Sequence, residues 1–198
     1  MALVRKLAIS SGLALAVFAL SPVAADAGTG TPFSGSFSGT STVHFVTEPP
    51  PQFPGTLCNT TTPCAVGTAT GTGKLSHIGQ VSATGTVAIR FTGGGAFTDA
   101  GQLVLTAKGG TLAVDFAGTG QVTSVGGFII GSTTQATVTE HILAGTGKFV
   151  GVTGTATADQ IGTLTAINLG SDCLGAPNNP CLQFTSFDSG TWSGTINR

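Results

Sequence analysis

Apolar and polar residues alternate along most of this chain with the period of two that is typical of β-strands. In residues 33–45 the odd positions are mostly apolar or glycine, whereas the even positions are almost all serine, threonine or histidine. Residues 80–91 show the same pattern, with valine, isoleucine and phenylalanine on one face and serine and threonine largely on the other. Each run therefore predicts a strand with one apolar face.

The alternation recurs to the end of the chain. Further strands are predicted at residues 66–75, 102–108, 111–116, 121–125, 128–130, 135–143, 154–169, 182–187 and 191–196. The glycines at 93–95 and 109–110 are typical of turns between antiparallel strands. About eight to ten short-linked strands indicate a barrel or a sandwich, and we favour the barrel because closure removes exposed strand edges. The prediction is an all-β fold, a roughly eight-stranded antiparallel β-barrel.

The N-terminus has the pattern of an export signal. Arg5 and Lys6 precede an apolar run over residues 7–20, and Ala25-Asp26-Ala27 fits an A-x-A cleavage site. The alternative is an uncleaved anchor, but the run is shorter than the ~20 residues of a spanning helix. We predict a cleaved signal peptide at 1–27 and one barrel domain at 28–198. The expected location is secreted, periplasmic or extracellular, with no membrane attachment after cleavage.

The four cysteines agree with an oxidising compartment. Cys58 and Cys64 bracket five residues, and Cys173 and Cys181 bracket seven. Four cysteines allow three pairings, of which two local disulfides, Cys58–Cys64 and Cys173–Cys181, are the simplest. The alternative is a four-thiolate zinc site, which usually has gaps of two to four residues. These segments belong to a Pro/Cys-rich excursion at 48–64 and a Cys-bracketed loop at 170–181.

Charge and motifs exclude several classes of function. Only 8% of residues are charged, the net charge is −1, and no basic patch with aromatic neighbours indicates a nucleic-acid partner. The string nearest to a hydrolase elbow, Gly35 to Gly39, has Phe37 at the nucleophile position. Three dispersed histidines lack metal-site spacing. We therefore predict no metal and no cofactor.

Two residues are candidates for catalysis. Glu140 shares a strand face with Ala136, Val138 and Ile142, and inside a barrel its pKa would be raised by desolvation. The alternative, which the pattern alone favours, is that this face points outward or that Glu140 lies at the solvent-exposed rim of the barrel. His77 is predicted in a turn between strands, where it either caps the turn or takes part in chemistry.

A family resemblance adds to this interpretation. Residues 145–154, GTGKFVGVTG, resemble the G-T-G-x-F-x-G-x-x-G signature of the allene oxide cyclase and dirigent-like barrels. Residues 71–79, 107–112 and 189–196 are similar to segments of uncharacterised secreted bacterial relatives, so the resemblance extends from about Gly67 to the C-terminus. It implies an eight-stranded antiparallel barrel with an apolar central cavity. It also implies a homo-oligomer as one expectation, since plant members often form trimers.

Three functional hypotheses follow. The first is a non-enzymatic exported barrel that binds a small apolar molecule or has a structural role. The second, implied by the resemblance, is an isomerase, cyclase or stereochemical guide whose cavity constrains an apolar substrate, with Glu140 as the first candidate acid or base. The third is a threonine-rich surface adhesion module, which requires flat, regularly spaced threonine rows.

Overall fold

The computed structural model describes residues 30–46, 48–54, 58, 62–123, 130–170 and 181–198. The strands are β1 (Thr31–Val46), β2 (Cys64–Leu75), β3 (Gly79–Gly93), β4 (Ala96–Ala107), β5 (Gly110–Val122), β6 (Thr133–Gly145), β7 (Thr153–Gly170) and β8 (Cys181–Asn197). Each pairs antiparallel with its neighbours, and β8 closes on β1. The predicted eight-stranded antiparallel barrel is confirmed. Within the described residues, no helix has the length and hydropathy needed to cross a membrane.

Three strands extend well beyond the segments that the sequence pattern predicts. β4 begins at Ala96 rather than near residue 102, the segments predicted at 111–116 and 121–125 fall in the single strand β5, which ends at Val122, and those predicted at 182–187 and 191–196 form the single strand β8. In each place the backbone ladder continues through lumen-facing positions that include aspartate or glycine, as in the register pairs Asp99–Gly118 and Asp188–Gly162. These residues lack the apolar signal that identified the other strands. Of the short strand predicted at 128–130, residues 128 and 129 lie outside the described residues.

One end of the barrel is filled by apolar side chains. The turn at residues 76–78, the turn at 108–109 and a 3₁₀ turn, η1 (Gly147–Phe149), connect strands at this end. A continuous cluster packs inside it, and its most buried members include Leu75, Ile78, Leu112, Phe149, Val152 and Trp192. Because these side chains occupy the space between the strands, we call this the plugged end.

The GTGKFVGVTG segment builds part of the plugged end. Gly147 has a φ of +58°, a left-handed conformation that favours glycine, and an added Cβ would lie 2.1 Å from the backbone oxygen of Gly109. The Lys148 backbone N–H donates to that same oxygen at 2.9 Å. This close approach brings Phe149, which is only 2% exposed, into the core cluster. The segment therefore positions a packing residue.

The long connections lie at the opposite end, which we call the mouth. The predicted Cys58–Cys64 disulfide is confirmed, with 5.4 Å between the two Cα atoms, and it fastens the excursion to the first residue of β2. Disulfides of this kind are typical of oxidising compartments. The predicted Cys173–Cys181 disulfide and the signal peptide at 1–27 lie outside what the structure describes.

The outer surface of β1 to β3 is lined with hydroxyl groups. Three consecutive outward positions on each strand are serine or threonine, and the strand register aligns them in rows: Ser38, Thr72 and Ser82; Thr40, Thr70 and Thr84; Thr42, Thr68 and Thr86. The rows are regular, but they follow the curved wall of a closed barrel rather than a plane. The flatness that the adhesion hypothesis requires is therefore missing.

Candidate functional site in the barrel lumen

Small side chains create a cavity between the plugged end and the mouth. Gly39, Ala69, Gly71 and Ala83 face inward from the middle of β1, β2 and β3 and line a space of about 200 Å³. A ~150 Å³ apolar cavity is large enough to hold benzene. The lumen therefore has room for a ligand of roughly one aromatic ring with a short substituent.

The cavity has an apolar side and a polar side. Aliphatic residues of β2, β3 and β4 form the apolar side, and they include Ala65, Ala69, Ala83, Val87, Ile89 and Leu103. The polar side is formed mainly by β6, β7, β8 and β1, and it includes Thr134, Glu140, Gln160, Ser186, Asp188 and Ser41. Asp99 of β4 also lines the space. Such a lining suits a ligand with an apolar body and a polar group.

Phenylalanine rings lie between the cavity and the mouth. Phe45 contacts Phe184 and Phe91 edge-on, with ring centroids 5.0 and 6.0 Å apart, and Phe91 lies 6.3 Å from Phe97. Edge-to-face pairs of this kind stabilise one another beyond their simple burial. The rings give the mouth side of the lumen an aromatic lining.

Glu140 points into the barrel, so the expectation that its face is outward or wet was wrong. Its side chain is 8% exposed, and its Oε1 accepts a 2.8 Å hydrogen bond from the indole N–H of Trp192. Burial raises the pKa of Glu140 to about 7, although the Trp192 hydrogen bond opposes the shift. Alternation defined the correct face of β6, but only the closure of the sheet decided which face is inside. Near neutral pH this carboxyl is available in both protonation states.

Asp99 is a second buried carboxyl that the sequence pattern did not reveal. It is 5% exposed, and the Gly118 position opposite leaves room for it, since an added Cβ there would lie 2.6 Å from Asp99 Oδ1. Burial, opposed by its own backbone N–H and reinforced by the charge of Asp188, raises its pKa to about 6. No described residue donates a hydrogen bond to its Oδ1.

Asp188 is the third carboxyl of the lumen. Unlike the Oδ1 of Asp99, both of its oxygens accept hydrogen bonds from side-chain hydroxyl groups. Ser41 donates to its Oδ2 at 2.9 Å, and Ser186 donates to its Oδ1 at 3.0 Å. Burial raises the pKa of Asp188, while these two hydroxyl groups lower it. Gly162 lies opposite and leaves space for the carboxyl, as Gly118 does for Asp99.

The alternation places both aspartates on the lumen-facing side when it is continued through the whole of β4 and β8. Asp99 lies in phase with Phe97, Leu103 and Leu105 on β4, and Asp188 lies in phase with Phe184 and Trp192 on β8. The two predicted strands stopped short of these positions, so their phase was lost.

His77 does not belong to this site. It lies in the predicted turn, between β2 and β3 at the plugged end, where its φ is +65° and its side chain is exposed. It is not among the residues that line the cavity. The structure brings Glu140 together with Asp99 and Asp188 and leaves His77 apart.

The three carboxyls define what the site can do. Within the described part of the chain, no group of three or more histidine, cysteine, aspartate or glutamate residues is arranged to hold a metal ion. Among the described residues that line the cavity, there is no lysine, arginine or histidine to neutralise the carboxyls. The site can therefore donate or accept protons, or bind a group that supplies hydrogen-bond donors.

The indole of Trp192 should report the ionisation of Glu140. Trp192 is the only tryptophan, and the chain has no tyrosine, so its emission is not overlaid by other residues. We expect the emission to titrate with a midpoint near pH 7, because the hydrogen bond to Oε1 changes when the carboxyl ionises. Fluorescence measured from pH 5 to 9 tests this. The transition should vanish in Glu140→Gln and persist in Asp99→Asn. The reverse result would show that Asp99, and not Glu140, causes the change in emission.

Comparison of the chain with protein-family models, with curated proteins and with solved structures finds no significant match in any of the three.

Proposed function

We propose that this chain is an exported barrel protein that binds a small, largely apolar molecule in its lumen, where the resemblance to allene oxide cyclase and dirigent-like barrels implies an apolar cavity. The observation behind the proposal is the cavity of about 200 Å³, which has an aliphatic wall facing a few polar groups. Cavities with mostly apolar walls and a small number of convergent polar groups are typical of small-molecule sites. The Cys58–Cys64 disulfide supports export to an oxidising compartment.

Filling the cavity should abolish binding. Ala69 lines the lumen, whereas Thr68 of the same strand is exposed and lies outside the cavity lining, so Ala69→Phe and Thr68→Phe add the same ring inside and outside the site. With 2-phenylethanol as the probe and Trp192 emission as the readout, we expect Ala69→Phe to weaken binding at least tenfold and Thr68→Phe to leave it unchanged. Equal binding by Ala69→Phe and the native protein would contradict a lumenal site.

Native mass spectrometry of the exported protein offers an independent test. A co-purified apolar molecule, lost in Ala69→Phe, would support the proposal and identify a natural ligand. An empty protein that also fails to bind 2-phenylethanol would overturn it and favour a structural role.

A second candidate is an isomerase, cyclase or stereochemical guide acting on the bound molecule. The observation that favours it is Glu140, which faces an apolar lumen with a pKa raised to about 7. A general acid or base works best when its pKa lies near the working pH. Glu140→Gln should then retain ligand binding and lose turnover of the identified ligand; unchanged turnover would exclude this role for Glu140.

A further inference from the structure

We propose that the lumenal ligand is a small organic cation, an amine with an apolar body, whose protonated nitrogen lies between Asp99 and Asp188. This inference rests on the proposed function, because it names the chemical class of the molecule that the same cavity binds. It depends on the hydrogen-bonding state and burial of the two carboxyls and on the composition of the lining around them.

The Oδ1 of Asp99 lacks a hydrogen-bond donor among the described residues, and the ligand would supply one. Asp99 is only 5% exposed and lines the cavity. Its Oδ1 receives no hydrogen bond from any described residue. A buried polar atom without a partner costs roughly 1–3 kcal/mol, and more when it is charged. A ligand N–H that reached this oxygen would remove that cost.

Asp188 adds a second negative charge to the same space. Its two oxygens accept hydrogen bonds from Ser41 and Ser186, which hold the carboxyl in place without neutralising it. Asp99 and Asp188 line the same cavity, and the negative charge of Asp188 helps to raise the pKa of Asp99. Glu140 is a third carboxyl in the lining, and none of the described lining residues is cationic. A cation between the two aspartates would convert the repulsion into attraction.

The remaining walls favour an organic cation over a bare metal ion. No described cluster of carboxyl, imidazole or thiol groups has three members in reach of one ion. Much of the remaining lining is aliphatic, with Ala69, Ala83 and Leu103 among its residues. This surface has no ligand for a metal, but it can bury an apolar body of the size that about 200 Å³ allows.

Two matched probes test the inference. 2-Phenylethylamine and 2-phenylethanol differ only in the terminal group, and at pH 8 the amine is protonated, since aliphatic amines titrate near ~10. With Trp192 emission as the readout, we expect the amine to bind native protein at least tenfold more tightly than the alcohol. The isosteric double variant Asp99→Asn, Asp188→Asn should bind the amine only as tightly as it binds the alcohol.

A control variant excludes a general effect of negative charge. Asp159 is an exposed carboxyl on the outer surface of β7, so Asp159→Asn should leave the preference for the amine intact. Loss of the preference in Asp159→Asn would overturn the inference. Equal binding of amine and alcohol to native protein would also overturn it, while leaving the proposed function in place. If neither probe binds, both proposals fail.

Discussion

The free energy of unfolding should fall as the pH rises from 4 to 8, the reverse of ordinary acid denaturation. The folded state raises the pKa of Asp99 from 3.8 to about 6 and that of Glu140 from 4.5 to about 7. Between each pair of values the folded chain holds a proton that the unfolded chain has released, so raising the pH favours unfolding. The raised pKa of Asp188 acts in the same direction. Stability is therefore highest at and below about pH 4 and declines until about pH 7.

The decline should be large for a single domain. At about 1.4 kcal/mol per pKa unit, Asp99 and Glu140 each contribute about 3 kcal/mol of destabilisation at pH 8 relative to pH 4. Urea denaturation at a series of pH values measures this. Glu140→Gln and Asp99→Asn should each flatten the profile, whereas Asp159→Asn should not. A native profile that rises between pH 4 and 8 would contradict the burial of ionisable carboxyls in the lumen.

Replacement of Phe149 by alanine should destabilise the barrel by about 3–5 kcal/mol, the usual cost of removing a buried phenylalanine. Phe149 is 2% exposed at the centre of the plugged end, packed with the cluster that includes Leu112 and Val152. Its backbone is held by hydrogen bonds to Thr146 and Val152, so the site has little freedom to collapse around a cavity.

The neighbouring residue supplies the matched control. Val150 is 74% exposed, and Val150→Ala should change the free energy of unfolding by no more than about 0.5 kcal/mol. Both variants can be compared by urea denaturation at pH 5, where the native protein has lost less stability than at pH 8. If Phe149→Ala unfolds at the same urea concentration as Val150→Ala, the plug does not stabilise the barrel.

Local chemistry explains why much of the fold could be predicted. In β1 and β3 the alternation persists over most of the strand, since the outward positions are mostly serine or threonine and the inward positions are mostly apolar or glycine. Gly93 to Gly95 and Gly109 have positive φ angles, so the turns follow from residues that tolerate that conformation. The Cys58–Cys64 disulfide likewise follows from its short spacing and its loop composition.

The candidate site could be predicted only in part. Glu140 was identified by its phase on β6, but an isolated strand has two faces, and the pattern does not say which of them is enclosed. Asp99 and Asp188 were missed because each interrupts an apolar face beside a glycine, which weakens the alternation where the site is built. Polar residues required inside a cavity are the ones that make a buried strand face hard to recognise.

The sequence by itself determined the strands, most of their turns and one disulfide, because these depend on neighbouring residues and on backbone conformations that glycine and cysteine pairs specify locally. Only the tertiary structure decided which faces enclose the lumen, that small residues of β1 to β3 leave a cavity there, and that carboxyls from β4, β6 and β8 meet inside it. Those three residues are separated by 41 to 89 positions along the chain, as their numbers 99, 140 and 188 show. Closure of the sheet removes them from water together, and this shared burial raises their pKa values and gives the site its chemistry.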